Sequence, residues 1–322
     1  MKRFAGILII STLLACSEKD AYVEPPGFDD GLSDGVNYGL AAKYPNDEGI
    51  ENDPDVLAVE NFEAGEVTIC TEYDRYKNNV KVVNNEHFTG TYGGRHEWPK
   101  GLNGPTCRYP IPEKAHQGQN PSYFVRMYFK YDNSFHPGEG MEPVGVKGFG
   151  IYNEKQTGEP CDGTNWYCVS CQFVGWGPSQ KPDANDGYLW FGHMYSYNPA
   201  PGEAYAEKGK IKISDPAEGD SPYRFSIYSD PYKYIKFDEW YCYEVGLYLN
   251  TPGRNDGEAR FWINGVLQSR ATHMRFRDLE DMKPEYVQLN LHRTTENFQQ
   301  TMIRYVDNIV IATRYIGPVK TH

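Results

Sequence analysis

From residue 56 onward the chain is built of short runs in which apolar and polar positions alternate, separated by turn-forming Gly, Pro, Asn and Asp. Tyr123 to Asp132 sets Tyr123, Val125, Met127 and Phe129 against Phe124, Arg126, Tyr128 and Lys130. Tyr241 to Asn250 sets Tyr241, Tyr243, Val245, Leu247 and Leu249 against Cys242, Glu244, Gly246, Tyr248 and Asn250. Tyr286 to His292 points Val287, Leu289 and Leu291 inward, with Tyr286, Gln288, Asn290 and His292 opposite. Strand side chains alternate strictly, so each set is one face of a strand. Asn264-Gly265, between Ala259–Ile263 and Val266, marks a hairpin turn. Arg304 to Ile316 reads as a closing strand, apolar on both faces around Asp307-Asn308. With no long amphipathic helix among these runs, the pattern predicts an all-β, two-sheet β-sandwich. Several strands carry Arg, Tyr, Gln, Asn and His where Lys, Glu and Thr would cover an ordinary wet face. Such a face suits the floor of a ligand groove; a plain solvated face is the other reading.

The N-terminus breaks this pattern. Met1-Lys2-Arg3 precedes the apolar run Phe4 to Ala15, the charged and hydrophobic regions of a signal peptide. Leu13-Leu14-Ala15-Cys16 resembles the lipobox of bacterial lipoproteins, which implies removal of residues 1–15 and acylation of Cys16; an ordinary signal peptide with an incidental cysteine is the alternative. Ser17 after the cysteine implies sorting to the outer membrane. The 322 residues carry 32 basic and 44 acidic groups, a formal charge of −12, which loss of Lys2 and Arg3 takes to −14. Residues 17–55 hold eleven acids against Lys19 and Lys43, so this segment carries −9 and the body from Val56 onward only −5. The expectation is an acidic flexible tether at 16–55 and one domain at 56–322. An acid excess of this size argues against a nucleic-acid partner. It leaves room for a locally basic groove on the body.

Six cysteines follow Cys16: Cys70, Cys107, Cys161, Cys168, Cys171 and Cys242. An even number in an exported chain predicts disulfides. Zinc on Cys161, Cys168 and Cys171 is the alternative, with no histidine at a matching spacing.

Three segments in order resemble the concanavalin A-like jelly-roll polysaccharide lyases, in particular the alginate and glucuronan lyase group. They are Val144 to Gly150 with Lys147, then Gly187 to Pro199 with Tyr195-Ser196-Tyr197, then Trp240 to Gly265. Tyr305 to Val310 is similar to the closing strand of that fold, and the likeness spans about residues 56–318. It implies a lyase that cleaves an acidic, uronate-containing polysaccharide by β-elimination, with no cofactor required. The group has a Ser-x-Arg strand between the lysine and the tyrosines; Ser170-Cys171-Gln172 stands here, with a neutral amide in place of the arginine. The Glu-x-Asp-x-x-Glu strand of glycoside hydrolases on this fold is missing.

Uronate elimination needs a base for the C5 proton, an acid for the leaving oxygen and a partner for the carboxylate. Tyr195 or His193 is the candidate base, Tyr197 the acid, and Lys147 with Gln172 the carboxylate partners. Along one strand the two tyrosines stand about 7 Å apart, and a phenol serves as a base only where positive charge from Lys147 or Arg126 comes near. A tyrosine ladder that merely stabilises the sheet is the competing reading. Arg126, Asn290, His292, Tyr248 and Arg95 are further substrate-binding candidates. Glu63 and Asp307, at the two ends of the body, are candidates for a structural calcium. A non-catalytic carbohydrate-binding lipoprotein and a structural envelope module remain as alternatives, because a fold alone does not select among them.

Overall fold

The computed structural model describes residues 31–69, 80–100, 106–116, 122–135, 145–154, 161–176, 189–199, 203–214, 223–231, 233–290 and 300–320. The described strands form two antiparallel sheets. In the first, β2 (Val80–Val83), β3 (Gly93–Trp98), β17 (Met302–Ala312), β5 (Ser122–Tyr131) and β13 (Trp240–Tyr248) lie side by side. The sheet continues through β14 (Gly257–Ile263), β15 (Val266–Met274) and β9 (Tyr205–Lys208), and β1 (Val56–Glu60) pairs with β17. The second sheet runs β10 (Lys210–Ser214), β11 (Tyr223–Tyr228), β8 (Leu189–Asn198) and β7 (Trp166–Trp176). It ends with β6 (Gly145–Glu154), β16 (Tyr286–Asn290) and β4 (Thr106–Pro110), and β12 (Tyr234–Ile235) pairs with β8. The fold is the all-β sandwich that the alternation predicts.

Between the sheets lies an aromatic-rich core. Val125, Met127 and Phe129 of β5 and Tyr243 and Val245 of β13 face Val146, Phe149, Val169, Phe173 and Met194 of the second sheet. Ring pairs knit the layers: Phe129 meets Phe149 at 5.6 Å and Phe173 meets Tyr243 edge-on at 4.9 Å, geometries that add to plain area burial. Asn264 and Gly265 both take positive φ, 50° and 74°, and close the two-residue turn between β14 and β15. That conformation is open to Asn-Gly and closed to most other pairs.

The outer face of the first sheet is not a wet face. β5 is buried at nine of its ten positions, and β13 at all but its two ends. Residues 31–55 and the tail after β17 lie over it. Leu40, Ala41 and Ile50 pack with Phe124, Trp262, Val310 and Tyr315, and the amides of Leu40 and Ala41 donate to the carbonyls of Tyr315 and Ile316. The expected tether boundary at residue 55 is therefore corrected: residues 31–55 belong to the folded body, while Cys16 and the segment through residue 30 lie outside the described residues. The acids in this stretch hid the packing, because Asp47 and Asp53 are themselves buried rather than solvated. Among the described residues, no helix is long and apolar enough to cross a membrane.

Candidate active site

The second sheet carries its polar residues on the face away from the core, and the ladder registers arrange them in transverse rows. One row pairs Lys147 with Gln172 and Gln172 with His193. The next crosses seven strands: Arg108, Gln288, Gly150, Ser170, Tyr195, Ser226 and Lys212. A third aligns Tyr286, Tyr152, Cys168, Tyr197, Arg224 and Ser214. Directly paired residues share a face, so the rows form one continuous floor. Gly148 sits at the β6 irregularity between Lys147 and Phe149, where a Cβ would come within 2.6 Å of the Phe173 ring. This close approach lets Lys147 lie on the outer face while Phe149 turns to the core.

Tyr195 and Tyr197 are half-buried in this floor, and their hydroxyls converge. The Tyr195 hydroxyl donates to that of Tyr197 at 3.0 Å, with the rings edge-to-face at 4.9 Å. The 7 Å spacing expected along the strand thus describes the backbone positions and not the reactive oxygens. Burial raises the pKa of both phenols. The shared hydrogen bond then divides them, pushing Tyr195, the donor, further up and pulling Tyr197, the acceptor, back down. The cation that lowers both is Arg224, and neither Lys147 nor Arg126 contributes. Trp166 flanks Tyr197 at 5.2 Å.

His193 is buried beneath Tyr228, whose ring stacks on it at 4.8 Å, and burial alone lowers its pKa to about 4. It is a neutral and weakly basic imidazole at physiological pH. Lys147 and Gln172 are both half-buried on the same face as the phenols. Lys147 lies two strands from Tyr195, about 12 Å between Cα atoms from standard strand spacing and rise.

Several candidates fall elsewhere. Arg126 is fully buried on the other sheet, where it forms a two-pronged ion pair with Asp47 and donates to the carbonyls of Asn308 and Gly317. Asp47 outweighs the burial that would otherwise lower this guanidinium and holds its pKa well above the usual range. Arg126 is a fastener for the covering segment, and the substrate role expected of it is corrected. Arg95, on β3, ion-pairs with Glu97, and Tyr248, on β13, packs against the covered face. Both belong to the first sheet, whereas the phenol pair stands on the second. Asn290 closes β16 opposite Thr106, and His292 lies outside the described residues.

Glu63 and Asp307, the calcium candidates, both direct carboxylate oxygens at backbone amides. Asp307 accepts the amides of Phe88 and Thr89 at one oxygen and of Asn308 at the other. Glu63 accepts those of Thr91 and Tyr92. Burial raises the Asp307 pKa to about 7 despite these donors. Among the described residues no group of three or more His, Cys, Asp or Glu stands close enough for a metal ion. The disulfide expectation is corrected at four positions: Cys161, Cys168, Cys171 and Cys242 are buried thiols, whereas Cys107 is disulfide-bonded. Cys168 pairs with Tyr197 on the outer face and Cys171 with Met194 on the core face, so an odd spacing on one strand keeps those two apart and rules out a shared zinc.

Sequence reasoning missed Arg224, Trp166, Tyr228 and Arg108. Tyr223 to Tyr228 does alternate legibly, with Phe225 and Ile227 buried against exposed Arg224. The sequence held no sign that this strand lies beside the tyrosines. A cavity on the opposite side of the molecule is lined by Asp47, Glu48, Glu51 and Glu63, a setting that repels an acidic glycan.

This two-sheet jelly-roll architecture has counterparts among solved structures. A marine PL-14 alginate lyase from Aplysia kurodai superposes with a TM-score of 0.53 at 13% identity over 82% of this chain and 99% of that one. An alginate lyase variant in complex with an alginate trisaccharide gives 0.51 at 14% over 80% and 98%. An endo-β-1,4-glucuronan lyase from the fungus Trichoderma reesei gives 0.50 at 12% over 83% and 100%. At these identities the likeness is one of fold: the chain has the jelly-roll architecture of polysaccharide lyases. No family model and no curated protein matches it.

Proposed function

We propose that this chain is a polysaccharide lyase that cleaves an acidic, uronate-containing glycan by β-elimination, held at the bacterial cell surface by lipid on Cys16. The observation that carries the reading is the hydrogen-bonded phenol pair on the open face, with Lys147 and Arg224 on either side. Tyr197, the acceptor of the pair, holds a phenolate more readily than Tyr195. The roles are therefore reversed from the sequence expectation: Tyr197 takes the C5 proton and Tyr195 serves as the acid. The C5–H electron pair forms the C4–C5 double bond, the C4–O bond breaks, and the leaving oxygen receives the Tyr195 proton. Tyr197 then returns its proton to Tyr195 through the 3.0 Å hydrogen bond, and the pair is ready again.

A second reading has its own support. Both phenols are raised rather than lowered, and Gln172 supplies no charge, which is the profile of a surface that binds uronates without turning them over. Incubating the purified chain with alginate, glucuronan, ulvan and glycosaminoglycans separates the two. The lyase produces unsaturated ends that absorb in the ultraviolet, and Tyr197→Phe cuts their rate of formation by roughly 10²–10⁴-fold; binding without such product selects the second reading. Anchoring is tested separately by mass spectrometry and detergent partition of the expressed chain, both of which change on Cys16→Ser.

A further inference from the structure

Gln172 leaves the β7 position without the guanidinium that the family resemblance leads one to expect. The structure supplies one on the other flank. Arg224 of β11 pairs directly with Tyr197, its side chain is exposed, and its strand neighbours Phe225 and Ile227 are buried in the core, so it stands on the groove face. Among the described residues it makes no ion pair, whereas the buried arginines of the first sheet, Arg126 and Arg260, are each bound to a carboxylate. On the same side, Lys212 ends the row that contains Tyr195.

We infer that Arg224 is the carboxylate-binding residue of this groove, holding a uronate on the Tyr197 side of the phenol pair. The inference rests on the lyase reading above and specifies its substrate recognition. A planar guanidinium meets a carboxylate with two parallel hydrogen bonds, a geometry that neither the neutral amide of Gln172 nor the single ammonium of Lys147 reproduces. Two strands and four residues separate Arg224 from Gln172, about 16 Å between Cα atoms. The recognised carboxylate is therefore displaced along the groove, toward the edge formed by β10 and β11. The substrate this geometry fits is a polymer that crosses the strands with charge on successive sugars, from Arg108 at one edge to Lys212 at the other.

The test titrates a uronate trisaccharide and its methyl ester into the full chain by calorimetry, in a Tyr195→Phe background that blocks turnover. The expected result is preference for the free acid, and a loss of roughly ten- to hundredfold for the acid in Arg224→Gln, the weight of hydrogen bonds to a charged group. The ester affinity stays unchanged, and Arg224→Lys recovers part of the loss. Acid preference that survives Arg224→Gln intact overturns the inference and leaves the lyase reading standing. A wild-type chain that releases no unsaturated product, together with a Tyr195→Phe chain that binds neither sugar, overturns both. Arg224 is exposed on a strand surface, so its replacement spares the fold, and unchanged thermal unfolding checks this.

Discussion

Tyr195 and Tyr197 differ by two residues in sequence and by one hydrogen bond in character. Tyr195 donates and is driven up; Tyr197 accepts and is partly relieved, with Arg224 lowering both. A base that must first lose its own proton gains active fraction with pH up to its pKa, and burial keeps that pKa above the ordinary phenol value. Initial rates of product formation are therefore expected to climb from pH 7 toward pH 10 without levelling off. His193, held at about 4, adds no ionisation between pH 5 and 7. A rate limb centred near pH 6.5 would assign the base to an imidazole and displace the phenols. Loss of either hydroxyl is expected to cost roughly 10²–10⁴-fold in turnover, the range of a positioned acid or base.

Strand alternation is a property of an element, and it predicts which residues share a face without telling what covers the face. β5 shows this: Arg126 is a substrate-binding candidate by sequence, yet the face it shares with Phe124 and Tyr128 lies against residues 31–55 and the C-terminal tail. Asp47 anchors that covering segment by accepting from Arg126 and from Asn308. Asp47→Ala leaves a fully buried guanidinium without its counter-charge, a change that typically costs 3–5 kcal/mol. Denaturant unfolding should show about that loss. A double replacement by apolar residues of similar volume, Asp47→Leu with Arg126→Met, is expected to recover most of it, because the pair's own desolvation is then avoided. If the single and double variants are equally unstable, the ion pair is not what fastens the segment.

Charge is distributed over the whole molecule in opposition to its net sign. Asp47, Glu48, Glu51 and Glu63 gather around a cavity on the first sheet's side, while Arg108, Lys147, Arg224 and Lys212 lie on the open face of the second. A chain with a formal charge of −12 can thus present a basic groove to a polyanion. Attraction between exposed charges is screened over about 8–10 Å at physiological salt. Affinity for a uronate polymer is accordingly expected to fall steeply between low and high salt, while affinity for its methyl ester stays flat. Salt-independent binding of the acid polymer would mean that these cations do not meet it.

Local alternation and turn chemistry were enough to determine the strands, the hairpin at Asn264-Gly265 and the all-β class, because a period of two and a positive-φ turn are written in neighbouring residues. The shared face of His193, Tyr195 and Tyr197 was legible for the same reason, whereas Lys147 and Gln172 were singled out by the family resemblance. Strand order was not, since β8 and β11 meet across 24 intervening residues, from Asn198 to Tyr223, and no local pattern records which distant edges pair. Only the tertiary structure placed Arg224 beside Tyr197, turned two phenols into one hydrogen-bonded pair, and folded acidic residues after Gly31 onto the sheet that holds Arg126. Each of these depends on long-range packing and desolvation, which alternation along the chain does not encode.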